Sequence, residues 1–236
     1  MTYPLGGHGV FNFTRAELYA ADFSGANYLS STSSNFDFAD DDFALTFWFY
    51  HGGGTPTGYL GGKWTSGSGK RSYLLLFSGS KVDSATYIGG VAKWCTSTVT
   101  VSAAGWYHVA YFHNKTANTV NISVNNETMV STATGGGGLN SSTDPFTIGA
   151  GDTTSTPVYV TGRVDSYSVY TKILTQTQIG NLYNSGSGVT YEDMDKTSLQ
   201  NHYKLNELTG ARIDIHGSDN LTDNSSVGRA VGKILD

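Results

Sequence analysis

The chain has 236 residues, of which 14% are charged and 13% aromatic, with 30 Gly against 4 Pro and a net charge of −5. No Lys/Arg cluster offers the basic footprint that a phosphate backbone needs, which argues against a nucleic-acid partner. The single Cys95 excludes an internal disulfide and a Cys-rich zinc site, and no apolar run approaches the ~18–20 residues of a membrane-crossing helix. Gly, Ser, Thr and Asn between short aromatic and β-branched runs are the composition of an all-β chain with many turns, and a sandwich of roughly 200–250 residues forms one domain.

Residues 1–16 are Gly-rich and irregular, and Met1 to Phe13 lack the basic region and apolar core of a secretory signal. Tyr19 to Leu29 reads as two short strands around a turn at Ser24-Gly25. The run Asp40-Asp41-Asp42 reads as a solvated turn rather than a metal loop. In Phe43 to Tyr50, Phe43, Leu45, Phe47 and Phe49 share one parity and Trp48 and Tyr50 the other, as expected of a strand buried on both faces. Gly52 to Gly54 ends it. Tyr59 to Trp64 and Ser72 to Phe77 form a hairpin pair across a Gly/Ser turn. Ala85 to Val91 reads as one further strand. Cys95, in Lys93-Trp94-Cys95-Thr96, sits on a strand as an inert buried thiol, since no activating histidine or helix N-terminus is near in sequence.

Trp106 to His113 and Thr119 to Val124 pair across the turn Asn114 to Asn118, and Asn125-Asn126 begins another turn. Gly135 to Gly138 is a loop. Phe146 to Gly149 and Val158 to Tyr170 supply two more strands. Thr175-Gln176-Thr177-Gln178 fits a capping box, Ile179, Leu182 and Tyr183 follow at helical spacing, and Gly186 is placed to end the helix. Roughly ten short strands and one short helix predict an all-β antiparallel β-sandwich of jelly-roll type.

These segments resemble the laminin G-like branch of the concanavalin A-like lectin/glucanase superfamily. Ala21 to Leu29 resembles the family's opening strand and turn, and Phe43 to Phe49 its central aromatic strand. Gly105-Trp106-Tyr107-His108-Val109-Ala110 resembles its Trp-x-His-Val strand. Phe146-Thr147-Ile148-Gly149 with Gly162 to Tyr170 resembles its closing pair, and the helix from Thr175 follows in the family's order. The resemblance covers about residues 17–186. It divides the chain into an N-terminal arm (1–16), a laminin G-like sandwich (17–190) and a C-terminal segment (191–236).

That last segment, from His202-Tyr203-Lys204-Leu205 through Arg212-Ile213-Asp214 and His216 to Asn224 to Gly232-Lys233-Ile234, resembles strands that ordinarily open such a domain. Two accounts stand at this point: it fills its own domain's first-strand position, or it completes a neighbouring subunit. His8 to Thr14 faintly parallels His216 to Thr222, as a repeat would.

The resemblance brings three kinds of chemistry into view. Sandwich glucanases place acidic residues on alternating positions of one strand, because one carboxyl protonates the leaving oxygen while another attacks. Here there is no Glu-x-Asp-x-Glu, and Glu17, Glu127, Glu192 and Glu207 are widely spaced. No nucleophile elbow, zinc helix or phosphate loop is present, so no enzyme is expected. His108 and His113 have opposite parity on one strand and cannot share a ligand site on one face. The resemblance also implies a possible Ca²⁺ at the sandwich rim, with Asp22, Asn27 and Asp165 as candidates and Asp152 as an outside choice. At its family position Asp165 more often accepts backbone hydrogen bonds. Glycan binding would use flat aromatic faces beside polar groups. Tyr59, Trp64, Tyr87 and Trp94 are the candidates, with core packing or a subunit contact as the alternative for the tryptophans.

The expected function is a non-enzymatic structural or adhesion module on a virus or phage particle surface, of capsid-decoration or tail-fibre type, working as a homo-oligomer or in a larger assembly and able to bind glycan. The displaced terminal strands, low charge and single cysteine favour that reading. The alternative is a carbohydrate-binding lectin-like domain of a secreted or cell-surface protein, with a glycoside hydrolase third. Either of the first two acts on a virion surface or outside the cell.

Overall fold

A computed structural model describes residues 18–67 and 69–234. The N-terminal arm, the reading of Met1 to Phe13, the His8 to Thr14 parallel and Glu17 lie outside the described residues. The strands run β1 (Tyr19–Phe23), β2 (Tyr28–Ser31), β3 (Phe43–His51), β4 (Tyr59–Trp64), β5 (Arg71–Ser78), β6 (Lys81–Ile88), β7 (Val91–Thr96), β8 (Gly105–Asn114), β9 (Thr119–Val124) and β10 (Val130–Ala133). They continue with β11 (Phe146–Ile148), β12 (Ala150–Gly151), β13 (Val158–Tyr159), β14 (Gly162–Tyr170), β15 (Leu199–Tyr203), β16 (Thr222–Asn224) and β17 (Gly228–Val231), and helix α1 (Gln176–Tyr183) lies between β14 and β15.

Two antiparallel sheets form a sandwich. One has eight strands in the order β10-β9-β8-β3-β14-β1-β17, with β15 also on β14; the other has seven, in the order β16-β2-β11-β4-β5-β6-β7. β12 and β13 form a separate ribbon. β14 can hold both β1 and β15 because its register shifts between Asp165 and Ser168, where Ser166 takes a positive φ of 51°. Residues 162–164 then pair with β1, and 167–170 with β15.

The two parities of β3 have the expected fates. Phe43, Leu45, Phe47 and Phe49 are buried between the sheets with Tyr73, Leu75, Tyr111, Phe146 and Tyr167. Ala44 faces outward under α1, among Ala110, Phe112, Tyr170, Leu174, Ile179 and Leu182. Trp48 also faces outward and stacks on Tyr183 at 5.8 Å. The capping box forms as read: the Gln178 amide donates to Thr175 Oγ1 (3.2 Å), and Gln178 Oε1 accepts from the Thr175 amide (3.0 Å). The helix stops earlier than Gly186. Asn184 takes the left-handed cap (φ 46°) and its side-chain amide donates to Gly188 O at 2.8 Å.

Three strand expectations change. Ala85 to Val91 is broken at Gly89-Gly90, both at positive φ, into the β6–β7 hairpin. Val158 to Tyr170 is two strands rather than one. Strand β10 was not expected, because Val130-Ser131-Thr132-Ala133 is a half-buried edge strand with a weak apolar pattern.

The C-terminal segment pairs within this chain: β15 with β14, β16 with β2, and β17 with β1. Leu199, Tyr203, Leu205, Leu221, Val227 and Ile234 are buried. Between β15 and β16, the Asp214 carboxylate accepts backbone N–H groups from His202, His216, Gly217 and Asp219 and a side-chain N–H from Asn201. Those bonds hold its carboxyl below the usual range despite burial, which opposes them. The Asp40-Asp41-Asp42 run is a working turn: Asp40 accepts from the Leu139 amide (3.0 Å) and Asp42 from the Lys115 amide (2.8 Å), while Asp41 pairs with the Lys115 ammonium (3.3 Å).

Candidate functional site

Alternation along β4 to β7 sends Leu60, Tyr73, Leu75, Phe77, Val82 and Cys95 into the sandwich. The other side chains go to the outer face, Trp64 among them although it shares the parity of Leu60, because the β4–β5 register shifts between Tyr59 and Gly61 and between Lys63 and Trp64. There Trp64, Leu74 and Ala85 are buried in a small cluster, with Tyr59, Leu76, Tyr87 and Ala92 packed around it. Trp64 meets Tyr87 edge to face at 5.6 Å and Trp94 at 6.0 Å. Trp64 is only 7% exposed, whereas Trp94 is 41% exposed. All four aromatic residues singled out by the sequence therefore converge on one face. Trp64 and Tyr87 form a fixed floor, and Trp94 offers a free ring at the margin.

Two neighbours were not anticipated at this face. Arg71, at the start of β5, lays its guanidinium 5.4 Å from the Trp64 ring centre and 5.6 Å from that of Tyr87. Its Nε is buried and donates to nothing. Asp152, the outside metal candidate, is buried beside Tyr59. It accepts the Ser66 amide, and its own amide donates to Trp64 O at 2.9 Å. Burial, followed by the Asp152 charge, raises the Tyr59 hydroxyl pKa, and Arg71 works against that rise. At the same rim Asp144 Oδ1 accepts from Thr154 Oγ1 (3.1 Å) with Lys70 Nζ at 3.7 Å, while Asp144 Oδ2 and Thr65 Oγ1 are buried without partners. Aromatic surface flanked by oriented polar groups suits a ligand with one apolar face and an equator of hydroxyls.

Arg71 could not be found by strand alternation. The β4–β5 register shifts between Lys63 and Trp64, so Lys63 opposes Tyr73 and Trp64 opposes Arg71. That bulge, which the sequence does not announce, puts the arginine beside the rings.

The other candidates have separate partners. Asp22 on β1 faces the Arg163 guanidinium at 3.9 Å. Asn27 donates to Ser226 O at 3.5 Å. Asp165, at the β14 bulge, accepts the Lys233 and Ile234 amides at 2.5 and 3.0 Å and so anchors the tail. Among the described residues no three His, Cys, Asp or Glu side chains are grouped as metal ligands.

The acidic and nucleophilic groups elsewhere serve backbone. Glu127 accepts the Thr98, Val99 and Val124 amides, and burial raises its pKa. Glu207 accepts the Ile213 amide at 2.7 Å. Cys95 is buried, its thiol pushed up by that burial and donating to Val130 O. Among the described residues no helix is long and apolar enough to cross a membrane.

A family model, Laminin_G_3, described as Concanavalin A-like lectin/glucanases superfamily, matches residues 23–180. No curated protein matches the sequence. Among solved structures, the chain is similar to a candidate carbohydrate binding protein from Bacteroides ovatus ATCC 8483 (19% identity, TM-score 0.62), over 93% of this chain and 61% of that one, so the chain spans under two thirds of that protein's length. It is also similar to the heptameric SAP-like pentraxin of Limulus polyphemus (12% identity, TM-score 0.61), over 92% of this chain and 96% of that one. Domains LG4-5 of the mouse laminin alpha1 chain match at 13% identity and TM-score 0.51, over 65% and 41%. At these identities the likeness is one of fold.

Proposed function

The chain belongs to the concanavalin A-like lectin/glucanase superfamily, and on that premise we propose that it is a non-catalytic saccharide-binding module whose ligand lies on the outer face of β4–β7. The observation that carries this reading is the convergence of Tyr59, Trp64, Tyr87 and Trp94 on one face, with Trp94 41% exposed and Arg71 and Asp152 at hand. A pyranose has an apolar face of C–H groups that stacks on such rings, while its hydroxyls meet the polar rim. The non-catalytic reading is supported by Glu127 and Asp214, whose oxygens accept backbone amides, and by Glu207, whose Oε1 accepts the Ile213 amide while its Oε2 lies 3.9 Å from Arg212 Nε.

Binding is favoured here over a purely structural role. Among the described residues the tail strands pair in their own sandwich, on β1, β2 and β14, which supports the account that keeps them at home over one that donates them. Such a module belongs on an outer surface, of a particle or of a cell, where polysaccharides are met.

The test is a glycan array with the full chain, followed by titration calorimetry on the best ligand. Trp94→Ala is expected to weaken binding roughly 2- to 13-fold, the worth of about 0.5–1.5 kcal/mol for one ring contact, while the loss of its contact with Trp64 lowers the melting temperature by a few degrees and leaves the protein folded at the assay temperature. No saccharide retained on the array, or full affinity in the Trp94→Ala protein, would overturn the reading.

A further inference from the structure

We infer that the saccharide taken by this face is an acidic one, and that Arg71 receives its carboxylate. The inference rests on the saccharide-binding reading above and names its ligand class.

Arg71 is the most constrained cation of the site. Its guanidinium lies against the Trp64 and Tyr87 rings at 5.4 and 5.6 Å. Contact with two rings set edge to face fixes the plane of the fork. Its Nε is buried with no acceptor. Arg71 as a whole is half-buried, so an incoming carboxylate meets the terminal nitrogens of the fork, while the enclosed Nε holds the group in place. Among the described residues neither Asp144 nor Asp152 accepts from this Nε, although Asp144 Oδ2 is itself without a partner. Asp144 is matched with Lys70 and Thr154, and Asp152 accepts the Ser66 amide beside Tyr59. Lys70 in turn donates to Thr154 Oγ1 at 3.0 Å, which leaves Arg71, among the described residues of this face, to meet an incoming anion.

The planar fork selects among anions. Guanidinium and carboxylate match in two parallel N–H···O bonds, a geometry that a lysine cannot reproduce. A sugar stacked toward Trp94 with its carboxylate turned to Arg71 uses both halves of the site at once. The chain as a whole carries a net charge of −5. Long-range attraction of polyanions is therefore absent, and recognition depends on this one contact.

The experiment uses the full chain and matched pairs of ligands: oligogalacturonate against its methyl ester, sialyllactose against lactose, and a sulfated neutral oligosaccharide as the second anion. At least one carboxylated form is expected to bind about tenfold or more tighter than its neutral match and tighter than the sulfated sugar. Arg71→Gln should bring that ratio to about one, and Arg71→Lys should restore only part of it. A thermal melt checks that each variant is folded, and Arg71→Lys serves as the readout where Arg71→Gln is not. Equal binding of acidic and neutral forms, a preference for sulfate, or a ratio unchanged by Arg71→Gln overturns the acidic-ligand inference. If neutral sugars still bind and Trp94→Ala weakens them, the saccharide reading survives that failure. If no saccharide binds at all, both fall together.

Discussion

Arg212→Leu is expected to loosen the C-terminal strands and lower stability sharply. The Arg212 side chain is fully buried. One guanidinium nitrogen donates to Gly210 O and another to Val227 O, with Gly228 O at 3.5 Å. Glu207 and Asp223 stand 3.9 and 3.8 Å away. Leucine fills most of the volume but leaves these carbonyls without donors and the carboxylates without their cation. Breaking a buried pair from one side costs about 3–5 kcal/mol. Glu207 and Asp223 keep some contact with water, at 22% and 9% side-chain exposure, which places the cost toward the low end. For a chain of this size 1 kcal/mol shifts the melting temperature by about 2–4 °C, so a fall of roughly 6–12 °C is expected. Val227 and Gly228 lead into β17, so the amides of β17 should exchange faster while those of β3 keep their protection. Thermal denaturation by circular dichroism and hydrogen exchange by mass spectrometry read the two effects. A fall of less than about 3 °C with β17 protection unchanged would refute the role given to this guanidinium.

Two more outcomes follow from the same packing. Removing residues 199–236 takes Tyr203, Leu205, Leu221 and Val227 out of the core and bares the edges of β1 and β2; the shortened protein should aggregate, and a soluble, equally stable monomer in ultracentrifugation would contradict this. Burial lowers His108 and His202 to about 3, so between pH 6.5 and 3 the unfolded chain binds protons that the folded chain does not, and stability falls as pH falls through that window. By pH 4.5 each histidine should cost about 3 kcal/mol, and His108→Phe should remove about half of that slope. A melting temperature flat from pH 6.5 to 4.5 would rule this out.

Much of the fold was legible because period-two alternation is strong where a strand is buried on both faces. Phe43 to His51 needed no tertiary knowledge, and the Thr175 capping box is a local device that the sequence spells out. The misses lie where local pattern and pairing part company. Ala85 to Val91 reads as continuous because Gly89-Gly90 interrupts the chain without interrupting its apolar content. Val130 to Ala133 lies at a sheet edge, where half-burial leaves little pattern to see. Asn184 caps the helix by taking the left-handed conformation itself, its backbone N–H donating to Gly180 O, ahead of the plainer signal of Gly186. At the site the four aromatics were visible by residue type, but Arg71 was not, since only the register shift at Trp64 brings it there. Asp165 did what its family position suggested and accepted backbone amides. Its partners at Lys233 and Ile234 lie 68 and 69 residues along the chain, beyond the reach of local reading.

Trp48 and Trp64 show why the proposed face lies on one sheet and not the other. Each points outward from a sheet, and each carries more apolar area than a solvated strand would normally show. Over the eight-stranded sheet, α1 and the tail cover the ring: Trp48 stacks on Tyr183, lies 5.2 Å from His108, and has the Lys233 ammonium 4.9 Å from its centre. Over the seven-stranded sheet no helix follows β4–β7 to do the same. Trp64 is shielded by Tyr87 and Arg71 instead, and Trp94 is left 41% exposed beside it. An aromatic patch that the described residues leave partly exposed is either a stability burden or a binding surface. The fixed floor, the Arg71 guanidinium laid against it and the Asp152 carboxylate beside Tyr59 are features of the second kind, because a mere burden would need no oriented polar rim.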